Sequence, residues 1–267
     1  MAVWIPEWAC RLPLLHPFRD IWPARHAHWP TLLEMQRALL HAGAVNRAGM
    51  PLQLISHVPS GALDYERSVF ARGQLPVREG DWHDFFNVMA WMTFPRTKAA
   101  LNAEHCTDRE PALPGRRSRR RDKLTLFDES GVIVLSDDLM LAQLIREHRW
   151  HEFFWQRREA LLSSVRFLPF GHGLCEKALT PYIGMTGQAL LLEVGTSDLA
   201  GPTAGLRDGT DERLASLFSQ DLPANLLTPL PLLGIPGWHR DNDQERFYAN
   251  TQYFRAMPAG RRATAAR

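Results

Sequence analysis

The stretch GDWHDFFNVMAWMTFPRTKAALNAEH, residues 80–105, sets polar side chains among large apolar ones. Asp81 is expected to cap a helix that runs through Phe94, because a short carboxylate accepts hydrogen bonds from the free N–H groups of a helix start. Asp84 falls in the first turn, where the helix dipole favours a negative charge. Pro95 begins the next helix. Since an unpaired polar group costs roughly 2–7 kcal/mol to bury, the polar residues here are expected to be bonded, ligated or used.

The polar side chains of these two helices fall on faces that can converge. His83 and Asn87 are four residues apart and share one face of the first helix. Lys98, Asn102 and His105 lie close together on the second helix by the same spacing. The sequence therefore predicts two adjacent polar faces.

A metal site is one interpretation of this cluster, since His83, Asp84 and His105 carry ligand groups used by zinc and non-haem metals. The alternative is structural: His83 and Asp84 complete the helix cap, and Asn87 bonds a loop. No His-Glu-x-x-His signature occurs, so the structural alternative is preferred over a metal site. The sequence assigns no cofactor.

A β-hairpin is predicted further along the chain. Lys123–Phe127 and Val132–Leu135 flank the turn Asp128-Glu129-Ser130-Gly131. The two carboxylates would emerge at the strand end, where they can hold Mg²⁺ or act as acid and base. Asp and Glu are also ordinary residues before a Ser-Gly turn, and this reading is preferred for Glu129 over Asp128.

Glycines flank a histidine in Phe170-Gly171-His172-Gly173, between a predicted strand at Val165–Phe170 and a predicted helix at Leu174–Leu179. Glycine lets the backbone turn sharply and would leave the imidazole exposed as a base or ligand. Glu176, one turn further on, can orient it. The alternative is a histidine packed in a core turn.

An arginine run lies in a segment predicted to be a flexible loop, residues 106–122. It consists of Arg116, Arg117, Arg119, Arg120 and Arg121. The net charge of +2 is too small for binding of nucleic acid by the whole surface, so polyanion binding would depend on this run. The alternative is a solvated linker.

Other local signals place further elements. Thr31 and Glu34 form a capping-box pattern before an apolar helix, and a second helix is expected at Leu63–Arg72. Ser136 with Asp137 and Asp138 is expected to cap a helix toward Arg146, and Gln188–Val194 is a strand candidate.

The composition is that of one folded domain: 267 residues, 45% hydrophobic and 22% charged. We expect an α+β fold, mainly helical, with a small, antiparallel sheet. An extended N-terminal arm is predicted at residues 1–30, a globular domain at 31–255 and a disordered tail at 256–267. Nineteen prolines argue against a solenoid or a regular barrel.

Cysteine usage and hydropathy predict a cytoplasmic protein. Cys10, Cys106 and Cys175 are odd in number and lack Cys-x-x-Cys spacing, so neither a disulfide framework nor a thiolate zinc site is expected. No apolar run is as long as a membrane helix, and the N-terminus lacks the pattern of a signal peptide, so no membrane partner is expected.

Four blocks of the chain together resemble the bacterial family catalogued as domain of unknown function 3025. They are Trp82–Asn87, Phe94–Lys98, Arg121–Gly131 and Phe170–His172. The resemblance extends from the first predicted helix to the strand near Val194. It implies a bacterial setting and carries no mechanism.

Three polar clusters in aromatic surroundings are typical of a lined pocket and predict a hydrolase for a phosphate-bearing or otherwise anionic substrate. The predicted bases or metal ligands are His83, Asp84 and His172, with Asp128 as a second carboxylate. The predicted substrate-binding residues are Asn87, Lys98 and Arg121. One alternative is a non-catalytic protein that binds nucleic acid or an acidic partner through Arg116–Arg121. Another is a purely structural role for all of these residues.

Overall fold

The computed structural model describes residues 2–22, 27–57, 61–107 and 118–257. They form a single, mainly helical α+β domain, as expected. The α-helices are α1 Leu32–His41, α2 Ala62–Arg72, α3 Trp82–Thr93, α4 Pro95–Cys106, α5 Arg119–Ser130, α6 Leu139–Arg146, α7 Arg158–Ser164, α8 His172–Lys177, α9 Thr196–Ala200 and α10 Thr203–Phe218. The strands are β1 Gln53–Ile55, β2 Gln74–Pro76, β3 Gly131–Ser136, β4 Val165–Pro169, β5 Thr186–Glu193 and β6 Leu227–Pro231.

The larger sheet is mixed, which corrects the expectation of an antiparallel sheet. Its strand order is β4-β3-β5-β6. β3 pairs antiparallel with β4 but parallel with β5, and β5 pairs antiparallel with β6. All six residues of β3 are buried, as expected for a central strand covered on both faces. β1 and β2 form a separate parallel pair.

Helices α3 and α4 lie in the core and match their predicted boundaries closely. The Asp81 side chain accepts the backbone N–H of Asp84 at 3.1 Å, and Pro95 is the first residue of α4. Ten of the twelve residues of α3 are buried. The capping box of Thr31 and Glu34 is also present at the start of α1.

The predicted hairpin is wrong in its first half. Lys123–Phe127 belongs to α5, and only the second half, β3, is a strand. Ser118 caps α5 by accepting the N–H of Arg121 at 3.2 Å. The buried residues Arg120, Leu124 and Phe127 are spaced by four and three, which is the helical period.

The described residues at both ends of the predicted arginine loop are mostly helical. Cys106 ends α4, and Arg119–Arg121 begin α5. Arg120 is buried, pairs with Glu104 at 2.8 Å and donates to the carbonyl of Phe218 at the end of α10. Arg116 and Arg117 lie outside the described residues.

The N-terminal segment forms 3₁₀ helices at Trp8–Cys10 and Pro13–Asp20, where an extended arm was expected. It packs on α3: Trp4 stacks on Trp82 with ring centroids 4.8 Å apart. Of the predicted C-terminal tail, residues 258–267 lie outside the described part. No helix within the described residues is long and apolar enough to cross a membrane.

Candidate functional site

A cavity of about 450 Å³ opens where the start of α3, the end of α5 and the start of α8 meet. Four histidines line it, His57, His83, His105 and His172. Four carboxylates also line it, Glu66, Asp84, Asp128 and Glu129, together with Arg78 and Arg121. The structure thus brings most of the residues predicted as a site to one cavity.

Three side chains in this cavity are close enough to share one ion: His83, Glu129 and His172. One ligand atom from each lies within 4.8 Å of the other two. Glu129 Oε1 is 3.5 Å from Nε2 of His172 and 4.0 Å from Nε2 of His83. The two imidazole rings stand nearly perpendicular, with centroids 4.4 Å apart.

Each histidine has a second carboxylate near its other ring nitrogen. Glu176 Oε2 is 3.3 Å from Nδ1 of His83, and Asp128 Oδ2 is 3.9 Å from Nδ1 of His172. Glu176 was expected to orient His172 on its own helix, but the packing of α3 against α8 brings it to His83 instead. Carboxylates in this position fix the orientation of metal-binding imidazoles.

His172 is the first residue of α8 and is only 5% exposed, so the expectation of an exposed imidazole on a tight turn is wrong. The glycine before it serves close packing. Gly171 donates its N–H to the carbonyl of Gly131 at 2.8 Å, and a Cβ at Gly171 would lie 2.4 Å from the Gly131 nitrogen. His172 Nδ1 is buried and has no hydrogen-bond partner among the described residues.

Asp128 is held by a buried lysine. Lys98 Nζ donates to Asp128 Oδ1 at 2.5 Å, and the ammonium also lies 5.6 Å from the centre of the Trp91 ring. Burial alone would raise the pKa of Asp128, but the charges of Lys98 and His172 outweigh it and hold that pKa below its usual value. The charge of Lys98, predicted to bind substrate, is therefore engaged by Asp128.

Glu129 is the carboxylate between the two histidines, although the sequence favoured Asp128 for chemistry. Burial would raise its pKa, but the contact with His172 and the charge of His83 lower it overall. On a helix, successive side chains point about 100° apart, so Asp128 faces Lys98 while Glu129 faces His83. The prediction of a turn at Asp128 and Glu129 did not show that the two side chains face different partners.

Asp84 forms an ion pair with Arg78. Arg78 donates to both carboxylate oxygens, from Nε at 2.8 Å and Nη2 at 2.9 Å, and its backbone N–H adds a third bond at 2.7 Å. This pairing raises the pKa of Arg78. Asp84 lines the cavity, but the ion pair makes it an anchor for the segment before α3.

Asn87 lies deeper along α3 and donates to the hydroxyl of Tyr65 at 2.5 Å. Its side-chain oxygen is buried without a hydrogen-bond partner in the described parts of the chain. Arg121, also predicted to bind substrate, lines the cavity and donates to the carbonyl of His105 at 2.7 Å.

Glu66 on α2 was missed by sequence reasoning. Its carboxylate accepts from Asn102 at 2.6 Å and lines the cavity. Burial, followed by the charge of Asp128, raises its pKa to about 7. In the sequence it stands among the charged residues of an amphipathic helix, and no local pattern separates it from a solvated one.

Comparison with known proteins yields a family and no named relative. No curated protein and no solved structure is significantly similar to the chain. The model of a family described as protein of unknown function (DUF3025) matches residues 52–258, more than three quarters of the chain and a range that includes every side chain of the cavity. The resemblance noted in the four sequence blocks is thereby confirmed, and the chain belongs to the DUF3025 family.

Proposed function

We propose that the protein is a metal-dependent hydrolase acting on a phosphate-bearing or otherwise anionic substrate. The observation that carries this proposal is the cluster of His83, Glu129 and His172 in the wall of an open cavity. Two imidazoles and one carboxylate are a ligand set of catalytic zinc, which keeps a further position for water or substrate.

The distances within the cluster support this ligand set. Zinc bonds of roughly 2.0–2.1 Å place neighbouring tetrahedral ligand atoms about 3.3 Å apart. The separations of 3.5 and 4.0 Å from Glu129 Oε1 to the two imidazole nitrogens exceed this by less than an ångström. Small side-chain rotations close that difference, because Glu129 and His83 are only partly buried.

The carboxylates behind the histidines support it as well. Metal-bound histidines commonly donate their second ring N–H to a carboxylate, which fixes the tautomer. Glu176 is within hydrogen-bond distance of His83, and Asp128 lies 3.9 Å from His172, where a shift of under an ångström would pair the unpartnered Nδ1. Five residues from three helices thus surround the proposed metal position. Three are the proposed ligands, and Glu176 and Asp128 lie behind the two histidines.

A metal at this point would lower the pKa of a bound water and polarise the bond to be broken. Glu66, whose pKa is raised to about 7, lines the same cavity and is suited to accept and return a proton near neutral pH. Arg121 also lines the cavity, where its positive charge would favour a negatively charged substrate.

The alternative of nucleic-acid or acidic-partner binding through the arginine run has less support. Arg120 is buried and engaged by Glu104, so its charge is not presented to a polyanion. Arg121 points into the cavity wall and bonds the His105 carbonyl. Both contacts favour a structural or cavity-lining role for these two arginines.

The first test is metal content of tag-free protein by elemental mass spectrometry. Wild type, H83A, E129Q and H172A are equilibrated with zinc, manganese or iron(II) and passed through a desalting column. We expect near-stoichiometric metal in the wild type and at least a tenfold loss in each variant. H41A removes an exposed histidine outside the cavity and is expected to keep the metal.

Hydrolysis is then assayed with the loaded protein on p-nitrophenyl phosphate, bis(p-nitrophenyl) phosphate and p-nitrophenyl acetate. Turnover that depends on the metal and is lost in H83A and H172A supports the proposal. Absence of bound metal in the wild type, or full activity in both histidine variants, overturns it. Stoichiometric iron with oxygen consumption and no hydrolysis would overturn it in favour of an oxygenase, since two histidines and a carboxylate also bind iron(II).

A further inference from the structure

We propose that a basic hollow next to the cavity is a second binding subsite, which holds an anionic group of the substrate several atoms away from the bond that is hydrolysed. The hollow lies between α2 and the β1-β2 pair and is about 520 Å³ in volume. The inference that the hollow binds part of the substrate rests on the proposed function. The inference that the hollow binds an anion does not.

The hollow and the cavity adjoin each other. His57 and Pro76 line both spaces, so the cavity and the hollow share part of their walls. A ligand that passes His57 can therefore occupy the two spaces at once.

The cations of the hollow differ from those of the cavity in what they are bonded to. Arg78 in the cavity is paired with Asp84, and Lys98 behind it is paired with Asp128. In the hollow, the acceptors that Arg72 finds among the described residues are neutral, Ser68 Oγ at 3.1 Å and Gln74 Oε1 at 2.9 Å. Its positive charge is thus held in place without being neutralised.

Arg67 is the second cation of the hollow. It is exposed, and the structure gives it no hydrogen bond or ion pair with any described residue. One carboxylate, Asp64, also lines the hollow, so the fixed charge there is +2 from the arginines and −1 from Asp64. Four of the eight lining residues lie on neighbouring turns of α2: Asp64, Arg67, Ser68 and Arg72.

These features favour a phosphate or similar oxyanion. A guanidinium presents up to five N–H donors in a planar fork that matches phosphate oxygens. Arg72, oriented by Ser68 and Gln74, has lost part of its rotational freedom before a ligand arrives, which lowers the entropy lost on binding. The substrate class that fits both spaces is an elongated molecule with a terminal phosphate, whose remote charge positions the hydrolysed bond at the metal cluster.

The test measures binding of inorganic phosphate to metal-stripped, full-length protein by isothermal titration calorimetry at two salt concentrations. Metal is removed so that phosphate cannot bind to it, which separates this result from that of the metal-content experiment. The variants are R67Q/R72Q, the charge-preserving R67K/R72K, and the control R37Q/R47Q, which removes two exposed arginines outside both spaces.

We expect millimolar or tighter phosphate binding by the wild type, at least tenfold weaker binding by R67Q/R72Q, an intermediate value for R67K/R72K, and no change in R37Q/R47Q. The salt dependence should also be shallower in R67Q/R72Q. Phosphate binding that is equal in the wild type and R67Q/R72Q, equal losses in the control, or no binding to the wild type would each overturn the proposal. Circular dichroism and thermal unfolding confirm that each variant is folded.

Once a substrate is known, R67Q/R72Q is expected to raise KM at least tenfold for the phosphate-bearing molecule and to leave the rate with p-nitrophenyl acetate unchanged. An equal loss on both substrates would contradict a subsite for the remote charge.

Discussion

The buried pair of Lys98 and Asp128 links the core of the protein to His172. The Lys98 side chain is 5% exposed and that of Asp128 15%, and the two groups pair at 2.5 Å. Removing one partner leaves an uncompensated charge in the interior, which typically destabilises a protein by about 3–5 kcal/mol, whereas removing both costs much less. The pair is therefore expected to show strong coupling.

We predict that K98M lowers the free energy of unfolding by about 3 kcal/mol or more, and that K98M/D128N recovers most of that loss. Urea denaturation of the two single variants and the double variant gives the coupling energy. A double variant as unstable as the sum of the single variants would show that the pair is not coupled. D128N alone is further expected to weaken metal binding by about 10- to 100-fold through His172.

Glu66 makes stability depend on pH in the opposite direction from Asp128. Its pKa is raised from 4.5 to about 7 in the folded protein, so the folded state holds the proton more tightly than the unfolded state. Stability is then greatest below pH 4.5 as far as this group is concerned, and it falls as pH rises from about 4.5 to 7. For Asp128 the folded pKa is depressed, so its contribution is present above its unfolded pKa and is lost as pH falls through the lower folded value.

We predict that E66Q stabilises the metal-free protein at pH 8 by up to about 3 kcal/mol and has little effect at pH 5. Urea unfolding at the two pH values measures the difference. A stabilisation that is the same at both pH values would contradict a raised pKa for Glu66. E212Q, on the exposed side of α10, is the matched control and is expected to change neither value.

The contact between α5 and α8 depends on a glycine at the element junction. A Cβ at position 171 would lie 2.4–2.6 Å from backbone atoms of Ser130 and Gly131, and backbone cannot move aside as a flexible side chain can. The same approach places His172 next to Glu129. Close backbone packing of two elements thus brings two of the proposed metal ligands together.

We predict that G171A destabilises the protein by about 1–3 kcal/mol or more and lowers metal affinity, because α8 must shift away from the end of α5. G209A is the matched control in the middle of α10, where an added Cβ meets nothing within 4 Å. There the same change is expected to stabilise the helix by up to about 1 kcal/mol. Equal effects of the two substitutions on thermal unfolding would contradict the packing role of Gly171.

Elements with local end signals could be predicted from the sequence, whereas those decided by distant contacts could not. Asp81, Thr31 and Pro95 mark helix starts through bonds to residues three positions away or through a fixed φ angle, so α1, α3 and α4 were predicted correctly. Residues 123–130 fit both a strand and a helix period over so short a length. Packing of Leu124 and Phe127 into the core selects the helix.

The candidate site shows the same division. His83, Asp128 and His172 were identified from residue type and local surroundings, and they do meet in the cavity. Glu66 comes from α2, and its raised pKa results first from burial and then from the charge of Asp128, 62 positions further along the chain. The partners of Asp84 and Lys98 could not be predicted from the sequence either, because ion pairs between elements depend on tertiary packing.

Across the whole molecule, the N-terminal segment completes the core that supports the site. Trp8 is fully buried, and its ring meets those of Phe85 and Phe86 edge-on, with centroids 5.4 Å away from each. Both phenylalanines lie on α3, the helix that carries His83. The family match begins at residue 52. Residues that precede the matched range therefore pack against α3, the helix that positions a proposed metal ligand.

We predict that W8A destabilises the protein by about 3–5 kcal/mol, since a large buried ring is replaced by a cavity that the neighbouring rings cannot fill. Because the start of α3 carries His83, loosening it should also weaken metal binding, even though Trp8 does not line the cavity. V3A, which truncates a side chain that is 85% exposed in the same segment, is expected to leave stability and metal content unchanged. Urea unfolding with metal analysis of both variants tests this. Wild-type metal affinity in a clearly destabilised W8A would show that the aromatic core stabilises the fold without positioning His83.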